Sequence, residues 1–264
     1  MQFLHTYNRD RATMINYMIR FLGFGVPLAI IALITTLIAA LGYRTRLVSL
    51  TPAFITFGLG LLVALTSIAI SLAGTIFVVA KGLRPGYGLS QILLGMGIAG
   101  LVIAIPGYLL FTGGGQGLPA IHDISTDIED PPLFVDVLPL RANAPNTADY
   151  GGPEIGQLQR QAYPDIIPLI LAGAPEQVFD QALTTAMELG WTIAGSNRED
   201  GRIEATDTTF WFGFEDDVVV RLRPDKNGTR VDVRSVSRVG GGDVGTNSKR
   251  IRGYLAKLKD TLAP

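Results

Sequence analysis

Asp207–Ile251 reads DTTFWFGFEDDVVVRLRPDKNGTRVDVRSVSRVGGGDVGTNSKRI, and its alternation decides the fold of the C-terminal part of the chain. In Asp216–Arg223, Val218, Val220 and Leu222 fall on one face, and Val219, Arg221 and Arg223 on the other. In Thr229–Ser237, Val231 and Val233 alternate with Arg230, Asp232 and Arg234. Valine-rich period-2 alternation marks half-buried strands. Between them Pro224-Asp-Lys-Asn-Gly228 is turn chemistry: proline presets φ, and Asn-Gly tolerates positive φ. With Asp225–Gly228 as the loop, Leu222 faces Val231, Val220 faces Val233 and Arg221 faces Asp232. That last pair is a cross-strand ion pair worth ~0.2–1 kcal/mol. The outer face then carries Arg221, Arg223, Arg230 and Arg234 with Asp232 to balance them. It is either a solvated sheet face or a basic platform for an anionic partner.

Arg238 and three consecutive glycines, Gly240–Gly242, follow the hairpin. Thr246, Asn247 or Ser248 is placed to cap a helix. Its apolar stripe is Ile251, Leu255, Leu258 and Leu262 with Tyr254 adjoining, and its outer face holds Lys249, Arg250, Arg252, Lys257 and Lys259. A glycine loop running into a helix N-terminus suits an anion, which nominates Arg238, Asp243, Asn247 and Arg250 beside the sheet arginines. The loop matches neither a Walker motif nor a dinucleotide fingerprint. Phe210, Trp211, Phe212 and Phe214 cluster beside Gly213. Such a cluster is sheet-edge packing or a ligand cradle.

The runs TTFWFGFEDDVVVR (208–221), VDVRSVSRVG (231–240) and DVGTNSKRIR (243–252) resemble the domain-of-unknown-function 1499 family over roughly residues 118–262. That family occurs in bacterial envelopes and photosynthetic lineages, and one subset carries the domain after several membrane helices. The resemblance implies a fold and a location, because the family has no established activity. Some shorter relatives carry a cysteine near the start of the domain; this chain has no cysteine, so no role tied to it carries over.

Upstream, Pro175–Leu189 reads as a helix with Val178, Phe179, Ala182, Leu183, Ala186 and Leu189 as its stripe, closed by Gly190. Trp191–Ser196 and Arg202–Thr206 flank the Asn-Arg-Glu-Asp-Gly turn as a second hairpin. The order helix, four strands, helix predicts an antiparallel α+β domain at 175–264 with both helices on one face. It is similar to a helix-grip module and, less closely, to small lipoprotein domains of outer-membrane barrel assembly. Helix-grip folds often hold a cavity between sheet and C-terminal helix, so lipid binding is an alternative function.

The 264 residues carry a net charge of −1, which is a cancellation. Residues 1–111 are net +6 and residues 112–264 net −7; within the latter, 112–200 come to −10 and 201–264 to +3. Phe21–Leu41, Ala53–Ala80 and Leu89–Phe111 are uncharged runs long enough to span a hydrocarbon core, so 1–111 is a three-helix transmembrane region. Gly95, Gly97 and Gly100 permit close helix packing. Pro106 is placed to kink the end of the third span. The spans lack ionisable groups, which favours an anchor over a transport pathway. Arg9, Arg11, Arg20, Lys81 and Arg84 flank one side against Arg44 and Arg46 on the other. The positive-inside bias places the N-terminus in the cytoplasm of an inner membrane and the C-terminal domain outside, which in a Gram-negative cell is the periplasm.

Residues 112–174 open on Gly113–Gly115 and contain eight prolines, with Asp123, Asp127, Glu129 and Asp130 close together. They predict an acidic extended arm, its carboxylates solvated, that wraps the domain or reaches a partner. The acidic spacing does not match a calcium loop, and no metal site is assigned. Of the two histidines, His5 and His122, neither lies in the strand-rich core. A hydrolase would have to use Asp216, Asp217 or Asp243, but Asp216 and Asp217 are adjacent in a strand and point to opposite faces. The sequence reading is therefore a non-enzymatic envelope module with no cofactor and no nucleic acid. Its expected partners are the membrane and a protein or an anionic lipid.

Overall fold

The structure, a computed structural model, describes residues 23–80, 87–112, 117–242 and 244–262. Arg9, Arg11, Arg20, Lys81, Arg84 and Asp243, named above, lie outside the described residues. The chain divides into two units, Met1–Leu109 and Leu110–Pro264.

The first unit contains α1 (Gly25–Arg44), α2 (Leu50–Ala80) and α3 (Tyr87–Thr112). All three are long and apolar enough to cross a membrane. The α1–α2 seam is made of small residues. Ala29, Ala32 and Thr36 on α1 and Gly60, Ala64 and Ser67 on α2 are buried, and the Ser67 hydroxyl donates to the Gly25 carbonyl at 2.7 Å. A methyl at Gly60 would lie 2.6 Å from Thr36 Cγ2, so glycine there sets the helix separation. Of the three α3 glycines expected to pack closely, Gly95 does: a Cβ on it would stand 2.9 Å from the Gly25 backbone. Gly97 and Gly100 face open space, because they lie on other sides of the helix. Large side chains such as Ile38, Leu62 and Leu101 point outward.

In the second unit the alternation of Asp207–Ile251 builds the sheet it predicts. β3 (Thr192–Asn197), β4 (Arg202–Thr208), β5 (Glu215–Asp225) and β6 (Gly228–Ser237) form an antiparallel meander. Leu222 pairs with Val231, Val220 with Val233 and Arg221 with Asp232, as expected from the turn. Gly201 ends the β3–β4 turn at φ +60, and a Cβ there would come 2.3 Å from the Leu222 carbonyl oxygen, so only glycine fits.

One face carries α5 (Pro175–Glu188) and α6 (Thr246–Thr261). Val178, Phe179, Ala182 and Ala186 meet Ile251, Tyr254 and Leu258 over Val218, Val220, Val231 and Val233. Trp191 stacks on Tyr254 at 5.0 Å, and the Tyr254 hydroxyl donates to the Ala182 carbonyl at 3.0 Å. These side chains pack together between the sheet and the two helices. Leu189 and Leu262, assigned to the stripes, are exposed at the helix ends.

The arm departs from its expectation. It supplies two more strands, β1 (Asp123–Ser125) and β2 (Leu169–Leu171), both antiparallel to β6. The sheet therefore has six strands rather than four, with β1-β6-β5-β4-β3 as the main order. The arm also forms a 3-10 turn (Pro139–Arg141) and a further helix, α4 (Gly152–Ala162). Between them it crosses the second face of the sheet as a strap, laying Phe134 and Val137 on Val219 and Val236. That face is covered, not solvated.

If the strap is part of the folded unit, Phe134→Ala, which empties its contact with Val219 and Val236, should cost about 3–5 kcal/mol, the range for truncating a buried aromatic side chain. Urea unfolding of the detergent-solubilised protein, followed through tryptophan emission, measures it. A loss under about 0.5 kcal/mol would restore the solvated arm.

Candidate functional site

The candidate site is the arginine face of β5 and β6, and the strap lies over it. Arg221, Arg223 and Arg230 converge on three carboxylates. Asp130 Oδ2 accepts from Arg221 Nη1 at 3.1 Å and Arg223 Nη1 at 2.8 Å. Asp127 Oδ2 accepts from Arg230 Nη2 at 2.7 Å. Asp232, with no side-chain exposure, accepts from Arg230 Nε at 2.9 Å, Arg223 Nη2 at 3.0 Å and Arg221 Nη2 at 3.1 Å. Two of these carboxylates come from the strap, so the face is neutralised by the chain itself. The Arg223 hydrogen bond holds the Asp130 carboxyl below its ordinary value against the opposing effect of burial. Glu129 pairs at the surface with Arg160 at 2.8 Å.

Toward β1 the pairing goes under cover. Arg234 is fully buried and forks onto Asp123, Nε to Oδ1 at 2.9 Å and Nη2 to Oδ2 at 2.7 Å. It also donates to the carbonyls of Pro132 at 3.1 Å and Ala148 at 2.7 Å, between the rings of Phe134 and Tyr150. Burial, then the Asp123 charge, pushes the Tyr150 hydroxyl up to about 12. Asp217 is held by Arg238 Nε at 2.9 Å and Arg141 Nη1 at 3.0 Å, and takes the Thr206 hydroxyl at 2.8 Å. Burial lowers the Arg141 guanidinium from its ordinary value despite Asp217. Glu204, also fully buried, accepts the backbone N–H of Val135 at 2.8 Å and Val137 at 3.0 Å. Charge-assisted bonds of this kind fix geometry strongly.

On the helix face Arg250 reaches Asp216 at 2.6 Å and Asp207 at 2.7 Å. It also donates to Asn247, whose amide bonds the His122 carbonyl at 3.0 Å. Arg250, assigned to the outer helix face, is thus a buried strut. Asp216 and Asp217 do point to opposite sides, and each is engaged by arginine. The expected side-chain cap is replaced by Gly245 at φ 83, with the Ser248 hydroxyl donating to the Gly245 carbonyl at 2.9 Å. Asn247 and Arg250 bond one another.

Phe210, Trp211, Phe212 and Phe214 form the β4–β5 turn. Gly213 N–H donates to the Thr209 carbonyl at 3.1 Å, and Phe214 N–H to the Thr209 hydroxyl at 2.8 Å. Phe212 stacks on Phe214 at 5.4 Å, and Phe210 meets Trp211 edge-on at 5.7 Å. The rings pair with one another on a hairpin end.

The structure therefore brings together Arg221, Arg223, Arg230, Arg234 and Arg238, but as one side of an internal ionic layer. Sequence reading named Asp123, Asp127 and Asp217 without pairing them to these arginines, and it missed Arg141 and Glu204. One signal was available, a glutamate in the middle of the apolar strand R-I-E-A-T.

Removing one member of a buried pair leaves an uncompensated charge, so Asp123→Ala should cost about 3–5 kcal/mol; chemical denaturation of the full chain checks it. Acid behaves differently. The Asp130 contribution is complete above the ordinary carboxylate range and is lost as pH falls through its lowered value. Arg252 holds Asp165 low in the same way. The urea midpoint should therefore drop below about pH 4, and Asp130→Asn should flatten that limb without abolishing it.

A family model described as "Protein of unknown function (DUF1499)" matches residues 123–258. No curated protein matches the chain. The match starts on Asp123, the ion-pair partner of Arg234, and ends on Leu258 in the α6 core. It takes in the strap together with the sheet and covers just over half of the 264 residues; this chain belongs to the DUF1499 family.

Proposed function

We propose that this chain is an inner-membrane-anchored envelope protein whose C-terminal domain, on the outer side, is a non-enzymatic module that binds a protein partner. Three apolar helices suited to crossing a membrane support the anchor. The excess of basic residues flanking one side of the spans supports a cytoplasmic N-terminus. Three helices then leave the domain outside, in the periplasm of a Gram-negative cell. Binding rather than catalysis is supported by two of the three carboxylates nominated for acid–base chemistry, Asp216 and Asp217, which are tied to arginines as struts; the third, Asp243, lies outside the described residues.

One observation carries the choice of partner. The strap turns Phe134 and Val137 inward and holds Leu133, Val135, Leu138 and Leu140 outward, with Leu133 74% and Leu140 59% exposed. Its backbone is pinned by Glu204. A fixed apolar ridge of this kind supports a contact with a protein or a membrane, and we take the protein, whereas the arginine face already holds its own acidic segment.

The test is co-purification from native bilayer discs. A stoichiometric protein should accompany the wild type and be lost from Leu138→Glu/Leu140→Glu, with the circular dichroism of the two proteins superimposable. Undiminished recovery from that variant, with loss from Arg223→Glu/Arg230→Glu, would return the site to the arginine face and an anionic partner.

A further inference from the structure

The two ends of the sheet differ in chemistry. At one end lie the β3–β4 turn with Arg198, Glu199 and Asp200, and the β5–β6 turn with Asp225 and Lys226, all exposed. At the other lie the β4–β5 turn, 209–214, and the loop from β6 to α6. The uncharged run TTFWFGF (208–214) presents Phe210 at 80% and Trp211 at 42% exposure, and the second loop presents Val244 at 44%. The acidic groups beside them are held inward, Asp207 by Arg250 and Glu215 by Arg238. Asp243 is the acidic residue of the glycine loop, and Lys249 stands exposed in the first turn of α6.

The chain enters the domain at this same apolar end. The His122 carbonyl accepts from the Ser237 N–H at 2.9 Å, and β1 starts with Asp123 opposite Val236. A Cβ on Gly242 would touch Ala120 at 3.3 Å, so the incoming strand and the glycine loop lie side by side. Ile121, the first fully buried side chain of the domain, is nine residues beyond Thr112, the last residue of α3. A fully extended chain of that length reaches about 30 Å. The domain's own chain therefore enters at its aromatic end, and the charged turns occupy the opposite end of the sheet.

We propose that this end of the domain is a lipid contact, with Phe210 and Trp211 seated in the interfacial layer of the bilayer that the apolar helices cross. Tryptophan and phenylalanine on a turn offer a large apolar surface, and the indole N–H keeps a polar partner available at headgroup depth. Lys249 supplies a cation at the same end for lipid phosphate. Phe212 and Phe214, stacked on each other behind the tip, hold the turn in shape. This proposal rests on the reading that the helices cross a membrane, and the experiment separates the two.

The chain has no cysteine, so a single introduced one takes a nitroxide label without background. Phe210→Cys, Lys226→Cys and Leu62→Cys are each labelled in the full-length protein, in vesicles of phosphatidylethanolamine and phosphatidylglycerol. The label at 62 should sit in hydrocarbon, that at 226 in water, and that at 210 at headgroup depth. At 210, relaxation by dissolved oxygen should rise and relaxation by a water-soluble nickel chelate should fall several-fold relative to 226. If the label at 210 is as open to the chelate as that at 226 while 62 is in hydrocarbon, the lipid contact is wrong and the anchor stands. If 62 is itself open to the chelate, the anchor and the contact fall together.

Discussion

A buried guanidinium is the constraint around which the domain is arranged. Arg234 lies in β6, an interior strand of the sheet, with no exposure and still needs every donor satisfied. An isolated charge in such a place costs many kcal/mol, and only a carboxylate with matching fork geometry plus carbonyl acceptors offsets it. No neighbour within the four-strand meander supplies these. Asp123, Pro132 and Ala148 do, and all three lie in the strap. The meander is thus incomplete without the segment that precedes it. Buried ion pairs add little net stability compared with apolar packing, and their best-attested effect is to select one arrangement. Here the apolar contacts of Phe134 and Val137 hold the strap down. The ionic pairs choose which strap residue faces which strand.

The readable part of the fold is the part with period. Valine alternation and the turn residues of Asp225–Gly228 gave the β5–β6 register residue for residue, because the two-residue turn Lys226-Asn227 leaves the ladder no freedom to slip. The strap had no period to read. Its strands are three residues each. Much of its backbone bonds to side chains instead of a ladder: Gln159 takes Ser125 N–H at 2.9 Å, Glu204 takes Val135 and Val137, and Asn146 reaches the Ser237 carbonyl at 3.0 Å. Side chains standing in for a strand leave no pattern along the sequence. Prolines then describe the strap well as non-helical and poorly as a covering layer.

The arginine face shows a second kind of limit. Alternation locates a charged residue on a face, but not whether that face is wet. Arg221, Arg223, Arg230 and Arg234 share one side of the hairpin, yet they run from partly exposed to fully buried as the strap closes over them. The charge segregation was visible beforehand, with −10 in residues 112–200 and +3 in 201–264. It pointed to an acidic partner outside the chain, whereas the basic strands pair with the acidic segment that precedes them. That the partner is the preceding segment of the same chain follows only from the fold.

Internal neutralisation decides what kind of outside contact remains. Three arginines and three aspartates at Arg221, Arg223 and Arg230 leave that face no net charge to steer an anion. A competing acidic partner would have to displace Asp127 and Asp130, which are held at high effective concentration by their own chain. It would also expose Phe134 and Val137 to water as the strap lifted. An apolar partner meets neither obstacle, because Leu133, Leu138 and Leu140 stay outside while the ionic layer beneath remains intact. Apolar contact is also indifferent to the screening that weakens exposed charge pairs beyond about 10 Å at 0.1 M salt. The same ionic layer that closes the domain therefore leaves the strap ridge and the aromatic turn as exposed apolar projections, the two surfaces on which the proposals above rest.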